Sequence, residues 1–154
     1  MQRVTNCILI NDNRVLLLKK PRRGWYAIPG GKMEEGETVK ESVIREYREE
    51  TALDLLDPKM IGTFTFNVFR EKKIVQEWMM FTFICRTYEG ELTKHCEEGD
   101  LEWVALDQIQ TLPMAEGDHK IFEHMLSSES MLFALFAYTE DYELLDIRQD
   151  PSGP

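Results

Sequence analysis

The sequence predicts a single mixed α/β domain, a β-sheet with helices packed against it, and three observations predict it. Val4 to Ile10 and Arg14 to Lys20 are aliphatic, β-branched stretches flanking the turn-formers Asn11, Asp12 and Asn13, which reads as a hairpin. Met79 to Cys85 is almost continuously apolar, as in a strand covered on both faces. Thr38 and Glu41 form a capping box ahead of Val39, Val43 and Tyr47, whose i+4 spacing starts an amphipathic helix.

The remaining elements follow the same logic. Further strands are expected at about 59–69, 73–87 and 101–106. A second helix fits 115–127, with Ile121, Phe122 and Met125 as its apolar side. Met131 to Tyr138, a turn at Thr139 to Asp141, and Tyr142 to Ile147 suggest a closing hairpin. Residues 1–147 thus form one domain, with no repeat or low-complexity block, and 148–154, ending Pro151-Ser152-Gly153-Pro154, are expected to be a disordered tail.

With 154 residues, 43% of them hydrophobic and 10% aromatic, the chain has enough apolar surface for a core without staples. Cys7, Cys85 and Cys96 are odd in number and far apart, giving neither a CxxC metal pattern nor a disulfide framework, and read as reduced structural thiols. No segment approaches the roughly 20 apolar residues that span a bilayer, and the start has no cleavage-site pattern. A soluble cytoplasmic protein is the expectation. The formal net charge of −10 argues against binding DNA or RNA polymers, whose phosphates call for a basic surface. It leaves open a phosphorylated small molecule bound through metal ions, and it leaves the oligomeric state open.

The chemistry is concentrated between Pro29 and Leu53. A glycine pair, Gly30 and Gly31, is followed by Lys32, Glu34, Glu35, Gly36 and Glu37, then by a helix bearing Arg45, Glu46, Glu49 and Glu50. At 100° per residue the glutamates at 46, 49 and 50 fall within about 100° of one another on the helix. Like charges at such spacings destabilise a helix by about 0.2–0.5 kcal/mol per pair, and a divalent cation reverses that sign. Carboxylates and a loop carbonyl are hard ligands suited to Mg²⁺ or Mn²⁺. A solvated acidic face is the plain alternative for three glutamates alone. Against it stand the glycines, which let backbone approach a metal or phosphate, and the cation Lys32 beside them. Arg45, one residue before Glu46, is expected to turn away from the cluster and pin the loop through Glu37.

This stretch resembles the Nudix box: Gly31, five residues, Glu37, seven residues, Arg45 and Glu46, an apolar residue, one further residue, Glu49 and Glu50, one more, then a small and an aliphatic residue. Tyr47 stands at the position that is usually aliphatic, a change expected to be harmless in a core, and Ala52 replaces the usual glycine near the helix end. The resemblance implies a Nudix-type α/β/α sandwich around a mixed β-sheet and Mg²⁺-dependent hydrolysis of a nucleoside diphosphate linked to another group by an activated water. Carried onto this chain, Gly30 with Glu46, Glu49 and Glu50 would hold metal, Glu37 and Arg45 would brace the box, and Lys32 would neutralise phosphate. Glu49, Glu50 or Glu98 would be the general base.

Over most of its length the chain is similar to the MutT-like 8-oxo-dGTP diphosphatases, through Trp103, Leu106-Asp107-Gln108-Ile109 and the closing strands Leu132 to Ile147. That similarity implies a nucleoside triphosphate cleaved to monophosphate and pyrophosphate, with Thr5, Phe66, Met79, Glu116 and Asp118 facing the base. Phe66 and Met79 read equally as core, and Asp118 equally as an N-terminal cap or first-turn acid of the second helix. The chain departs from these relatives before its Gly-Gly, where Trp25, Tyr26, Ala27 and Ile28 stand in place of an asparagine-bearing segment, and at Ala115, where an aromatic is usual. A Nudix hydrolase of ADP-ribose, a dinucleoside polyphosphate or a nucleotide sugar is the alternative, and a non-catalytic nucleotide-binding module is a further one.

Overall fold

The structure, a computed structural model, describes residues 1–21 and 24–152. β1 (Gln2–Asn11) and β2 (Arg14–Lys19) form the expected hairpin, turning through Asp12 and Asn13 at φ 53° and 58°. Two consecutive residues at positive φ match the right-handed twist of the flanking strands, and Asn and Asp tolerate that conformation best among non-glycine residues. Short strands β3 (Tyr26–Ala27) and β4 (Gly30–Lys32) lead to α1 (Val39–Thr51). Next come β5 (Asp54–Leu56), β6 (Lys59–Arg70), β7 (Lys73–Cys85), β8 (Thr87–Glu89), β9 (His95–Cys96) and β10 (Gly99–Ala105). A 3-10 turn (Leu106–Thr111), α2 (Glu116–Ser127), β11 (Leu132–Thr139) and β12 (Leu144–Asp150) complete the chain.

The long strands make one mixed sheet in the order β12-β11-β6-β7-β1-β2-β10-β9, with parallel pairing at β1–β7 and β11–β6. β1 is the branch point. Along one edge it pairs with β7 from Gln2 to Leu9, while its other edge is divided, Val4 to Asn6 pairing with β4 and Ile10 and Asn11 with β2. Side chains alternate across such a strand, so β1 feeds two cores. Cys7 and Leu9 pack with Val43 and Tyr47 of α1, whereas Ile8 and Ile10 pack with Ile121 and Phe122 of α2. One helix therefore seals each face, the α/β/α layering that the apolar run in β7 anticipates. No helix among the described residues is long and apolar enough to cross a membrane.

Several expectations are revised. Arg148 to Asp150 are not tail but the end of β12, where Phe133 pairs with Asp150, because exposed polar residues can complete an edge strand once the backbone finds a ladder. Gly153 and Pro154 lie outside the described residues. β3, β4, β5, β8 and β9 are two or three residues long, too short for a period to show in sequence. Tyr47 is not harmless: it is fully buried, and its hydroxyl has no hydrogen-bond partner. Leaving such a group unsatisfied costs about 1–3 kcal/mol.

The capping box forms as read, with Thr38 Oγ1 accepting from Glu41 N and Glu41 Oε1 accepting from Thr38 N. At the other end of α1, Ala52 is held at φ 68°, ψ 11°, donating its N–H to the Arg48 carbonyl. An L-residue with a Cβ is strained in that region and glycine is not. Ala52→Gly is accordingly expected to stabilise the fold by about 0.5–1 kcal/mol, the strain relief exceeding the entropy gained by the unfolded chain, as read from the midpoint of urea unfolding.

Candidate active site

The site begins at the divided edge of β1, where the glycine pair lies. Neither Gly30 nor Gly31 is at positive φ, so their freedom of backbone angle is not what the site uses. What matters is approach. A Cβ on Gly30 would collide with the Thr5 carbonyl oxygen and Asn6 Cα, and one on Gly31 would collide with the Glu46 carboxylate. The Gly30–Gly31 part of β4 is thereby wedged between β1 and α1 without side chains. Gly30 is free to donate its N–H to Glu50 Oε1 at 3.3 Å, and in extended backbone its carbonyl faces the same side.

Arg45 organises the loop and the helix together. Its Nε and Nη2 grip Glu37 in a two-pronged pair at 2.5 and 2.9 Å, and Nη2 also donates to the Lys32 carbonyl at 3.0 Å. Glu37 Oε1 in turn accepts the Glu34 N–H at 2.8 Å. The guanidinium beside Glu37, helped by that N–H, holds its carboxyl at about 2, and the Arg45 pKa is raised by the same pairing. Bracing of the loop is as expected, but the expectation that Arg45 turns away from the acidic cluster is overturned: Nη1 reaches Glu46 Oε1 at 2.9 Å and Glu49 Oε2 at 3.1 Å. A guanidinium has donors on two edges, and Arg45 uses one edge for the loop and the other for the helix.

The three helix glutamates consequently do not meet at a point. Glu46 and Glu49 share Arg45, while Glu50 turns inward to Gly30. Among the described residues no three His, Cys, Asp or Glu side chains stand together at metal-ligand geometry. The donor set nonetheless suits a divalent cation. Each carboxylate spends one oxygen on the hydrogen bonds just named and keeps a second, and the Gly30 carbonyl adds a hard neutral donor. Burial, then the negative charges of Glu98 and Glu46, push Glu50 up to about 7, against the opposing pull of the Gly30 N–H and Lys20. A carboxylate pressed this way gains most from a nearby cation.

Glu98 is exposed, in the two-residue turn between β9 and β10, and its negative charge helps raise the Glu50 pKa. Lys32 is also exposed, contributing its carbonyl to Arg45. Sequence reasoning missed Lys20, the cation that acts on both Glu50 and Asp118, because in the sequence it looks like an ordinary charged strand end.

On the α2 side the expected base-facing set divides. Directly opposed residues of paired strands share a face. Phe66 opposes Trp78 and Thr65 opposes Met79, so Phe66 and Met79 point to opposite faces of the sheet and cannot form one wall. Met79 instead accepts from Thr65 Oγ1 through its sulfur at 3.2 Å on the α1 side. Thr5 is on that side too, fully buried with its hydroxyl 3.0 Å from Ser42 Oγ, which makes it a link between β1 and α1. The partner of Phe66 is Trp78, stacked at 5.2 Å and 5°, with Tyr138 stacked on Phe66 at 6.2 Å. Asp118 lies in the first turn of α2, next to Gly117, whose N–H donates to Tyr138 Oη at 2.8 Å. Asp118 is half-buried and caps nothing: the cap position is Ala115, and no side-chain cap bond forms. Burial raises its carboxyl to about 6, with Lys20 pulling the other way. Glu116 is exposed at the helix start.

A family model described as NUDIX domain matches residues 1–125. The chain belongs to the Nudix hydrolase family. It is 52% identical over 151 residues to a Bacillus subtilis (strain 168) protein named Uncharacterized Nudix hydrolase YvcI, covering 98% of this chain and 96% of that one. It is 43% identical over 116 residues to an ADP-ribose pyrophosphatase of Methanocaldococcus jannaschii, covering 73% of this chain and 65% of that protein. Among solved structures, the mMutator MutT protein from Bacillus halodurans superposes with a TM-score of 0.97 at 52% identity, over 99% of this chain and 100% of that one. Nudix hydrolases are pyrophosphohydrolases that act on small nucleotides and generally use divalent metals.

In this Nudix hydrolase the position of Glu50 has a consequence for stability. Its folded pKa of about 7 stands above the ordinary 4.5, so between those values the native state binds the proton that the unfolded state releases. The contribution is complete below pH 4.5 and is lost as pH rises through 7. Metal-free protein is therefore expected to lose on the order of 3 kcal/mol over that interval through this group, and Glu50→Gln to flatten that part of the profile, as measured by thermal unfolding in EDTA across pH 4 to 8.

Proposed function

We propose that the chain hydrolyses a purine nucleoside triphosphate, preferably an oxidised dGTP, to the monophosphate and pyrophosphate. The observation that carries this reading is Asp118, a half-buried carboxyl with no hydrogen-bond partner among the described residues, standing beside the Phe66–Trp78–Tyr138 aromatic wall. An aromatic wall gives a flat base its contact area and one acid gives it discrimination.

The phosphates are assigned to the glycine end. Gly30, Glu46, Glu49 and Glu50 would hold Mg²⁺, which Mn²⁺ can replace, and the ion would screen phosphate charge and acidify an attacking water. Glu50 is the best placed base, since it is turned inward to Gly30 and its pKa of about 7 lets it take a proton near neutral pH. Glu98 supplies charge beside it. Lys20, whose charge acts on both Glu50 and Asp118, would meet the phosphates, while Lys32 offers a second cation at the loop. Arg45, braced on Glu37, keeps Glu46 and Glu49 oriented. Glu50→Gln is expected to keep the fold and lose at least about 10²-fold in kcat with saturating Mg²⁺, and EDTA to abolish wild-type turnover; full activity of either would remove the assignment.

A second reading is favoured by the Methanocaldococcus jannaschii relative named ADP-ribose pyrophosphatase. It shares the glycine-end chemistry and differs only in what lies against the wall. Asp118→Ala separates the two. Losing a hydrogen bond to a charged group costs roughly 1.5–3 kcal/mol, so kcat/KM for the preferred purine triphosphate should fall about 10- to 150-fold while poorer substrates change much less. Equal losses on all nucleotides, or ADP-ribose outcompeting every triphosphate in the wild type, would refute the triphosphate reading and leave the Nudix chemistry standing.

A further inference from the structure

Two of the three cysteines meet inside the protein, which their distance in the sequence does not suggest. Cys7 is on β1, and Cys85 is the last residue of β7. In the parallel ladder Cys7 opposes Phe83, so Cys85, two residues further on, is its diagonal neighbour on the same face. The two thiols are hydrogen-bonded to each other there, in the core that α1 seals.

Their access to the outside is unequal. Cys7 is fully buried, whereas Cys85, itself 3% exposed, helps line an open cavity of about 940 Å³ between the end of the sheet and the last turn of α2. Lys59, Met60, Arg86, His124 and Met125 are among the other walls of that cavity. Cys85 Sγ lies 3.2 Å from the Leu56 carbonyl and 3.1 Å from the Thr87 carbonyl, which fix the protonated thiol at this wall. Burial, then the bond to Cys85, pushes the Cys7 thiol well above its ordinary pKa, and the same bond pulls Cys85 down. The outer thiol is thus the first of the two to give up its proton, and a thiolate is the attacking form of cysteine.

We propose that Cys85 and Cys7 are a redox pair, in which Cys85 attacks a small disulfide that enters the cavity and Cys7 then closes an internal disulfide that slows hydrolysis. The inference does not depend on which nucleotide is cleaved. The Cys85 thiolate bonds to one sulfur of the small disulfide, whose S–S bond breaks to release one thiolate and leave a mixed disulfide on Cys85. The Cys7 sulfur then bonds to the Cys85 sulfur, and the second small thiolate leaves. The protons of Cys7 and Cys85 end on the two released thiols, so the protein pair loses two electrons and the small disulfide gains them.

Closing this bond moves backbone. Diagonal partners on a sheet face lie roughly 7–8 Å apart at Cα and a disulfide spans at most about 6.8 Å, so the end of β7 is drawn toward β1. Cys7 carries the shift to the hydrolytic end. Its N–H donates to the Pro29 carbonyl at 3.1 Å, one residue before Gly30, and its side chain shares a core with Tyr47, the neighbour of Glu46 on α1. Gly30 and Gly31 have no free space in which to absorb the movement.

The test treats the native full-length protein with oxidised glutathione, blocks the remaining thiols, and maps disulfides by mass spectrometry of tryptic peptides. A cross-link between the peptides spanning residues 4–14 and 74–86 is expected, reversed by dithiothreitol. Turnover with Mg²⁺ of whichever nucleotide the reduced enzyme cleaves should fall by about 10- to 100-fold on oxidation, since a displacement on the order of 1 Å can cost that much, and should return on reduction. Cys85→Ala should keep its basal activity and be insensitive to oxidised glutathione, and Cys96→Ser should stay as sensitive as the wild type. A stable mixed disulfide on Cys85, a cross-link to Cys96, a 4–14 to 74–86 cross-link obtained only after denaturation, or full turnover by the cross-linked protein overturns the inference. Should Cys85→Ala fail to fold, the peptide map and the turnover of oxidised wild type decide.

Discussion

The rest of the site depends on the absence of two side chains. Gly30 and Gly31 lie so close to β1 and α1 that a single Cβ on either would strike backbone or the Glu46 carboxylate. Packing at this density transmits any added volume to its neighbours. If β4 moved outward, Gly30 would lose Glu50, Lys32 would carry its carbonyl away from Arg45, and Asn6 would lose the neighbour that holds it in place. Steric exclusion at two residues thus sets the distance between the loop, the helix and the central strand.

Upon that scaffold the charges divide into two groups with different roles. Arg45 and Glu37 form a stiff pair whose two pKa values move apart, each group held in its charged form by the other. Glu50 experiences the opposite influence, since burial and two neighbouring carboxylates favour its neutral form. The same helix therefore carries one partner of a fixed ion pair, Arg45, and a group balanced near neutrality, Glu50. Their difference comes from what each faces: Glu37 meets a guanidinium at the loop, and Glu50 faces the wedge between β4 and the core.

The branching of β1 explains why the Gly30–Glu50 end and the face under α2 are neighbours. One edge of β1 is shared between β4 and β2, so the chain that bears the glycine pair is laid beside the strand that bears Asn6. The opposite edge pairs with β7, bringing Met80 and Thr82 alongside. Residues 76 positions apart in the chain become hydrogen-bond partners through this single strand. α2 closes the face from above, and its first turn delivers Asp118 to the aromatic side.

The sequence by itself determined those features that depend on spacing within one element. The capping box at Thr38 and Glu41, the hairpin through Asp12 and Asn13, and the placement of Glu46, Glu49 and Glu50 on one side of α1 are all local, since a helical or strand period of known length fixes which residues are neighbours. Only the tertiary structure decided what depends on register and on a side chain's choice among distant partners. Phe66 and Met79 both look like wall residues until the β6–β7 pairing sets them on opposite faces, a one-residue distinction that composition cannot make. Spacing commits Arg45 to the loop alone, yet its second edge of donors reaches the helix acids. Thr5 was claimed by Ser42, and Lys20 became the cation common to both ends of the site. In each case the deciding partner comes from another element, and its position is fixed only when the strands have paired.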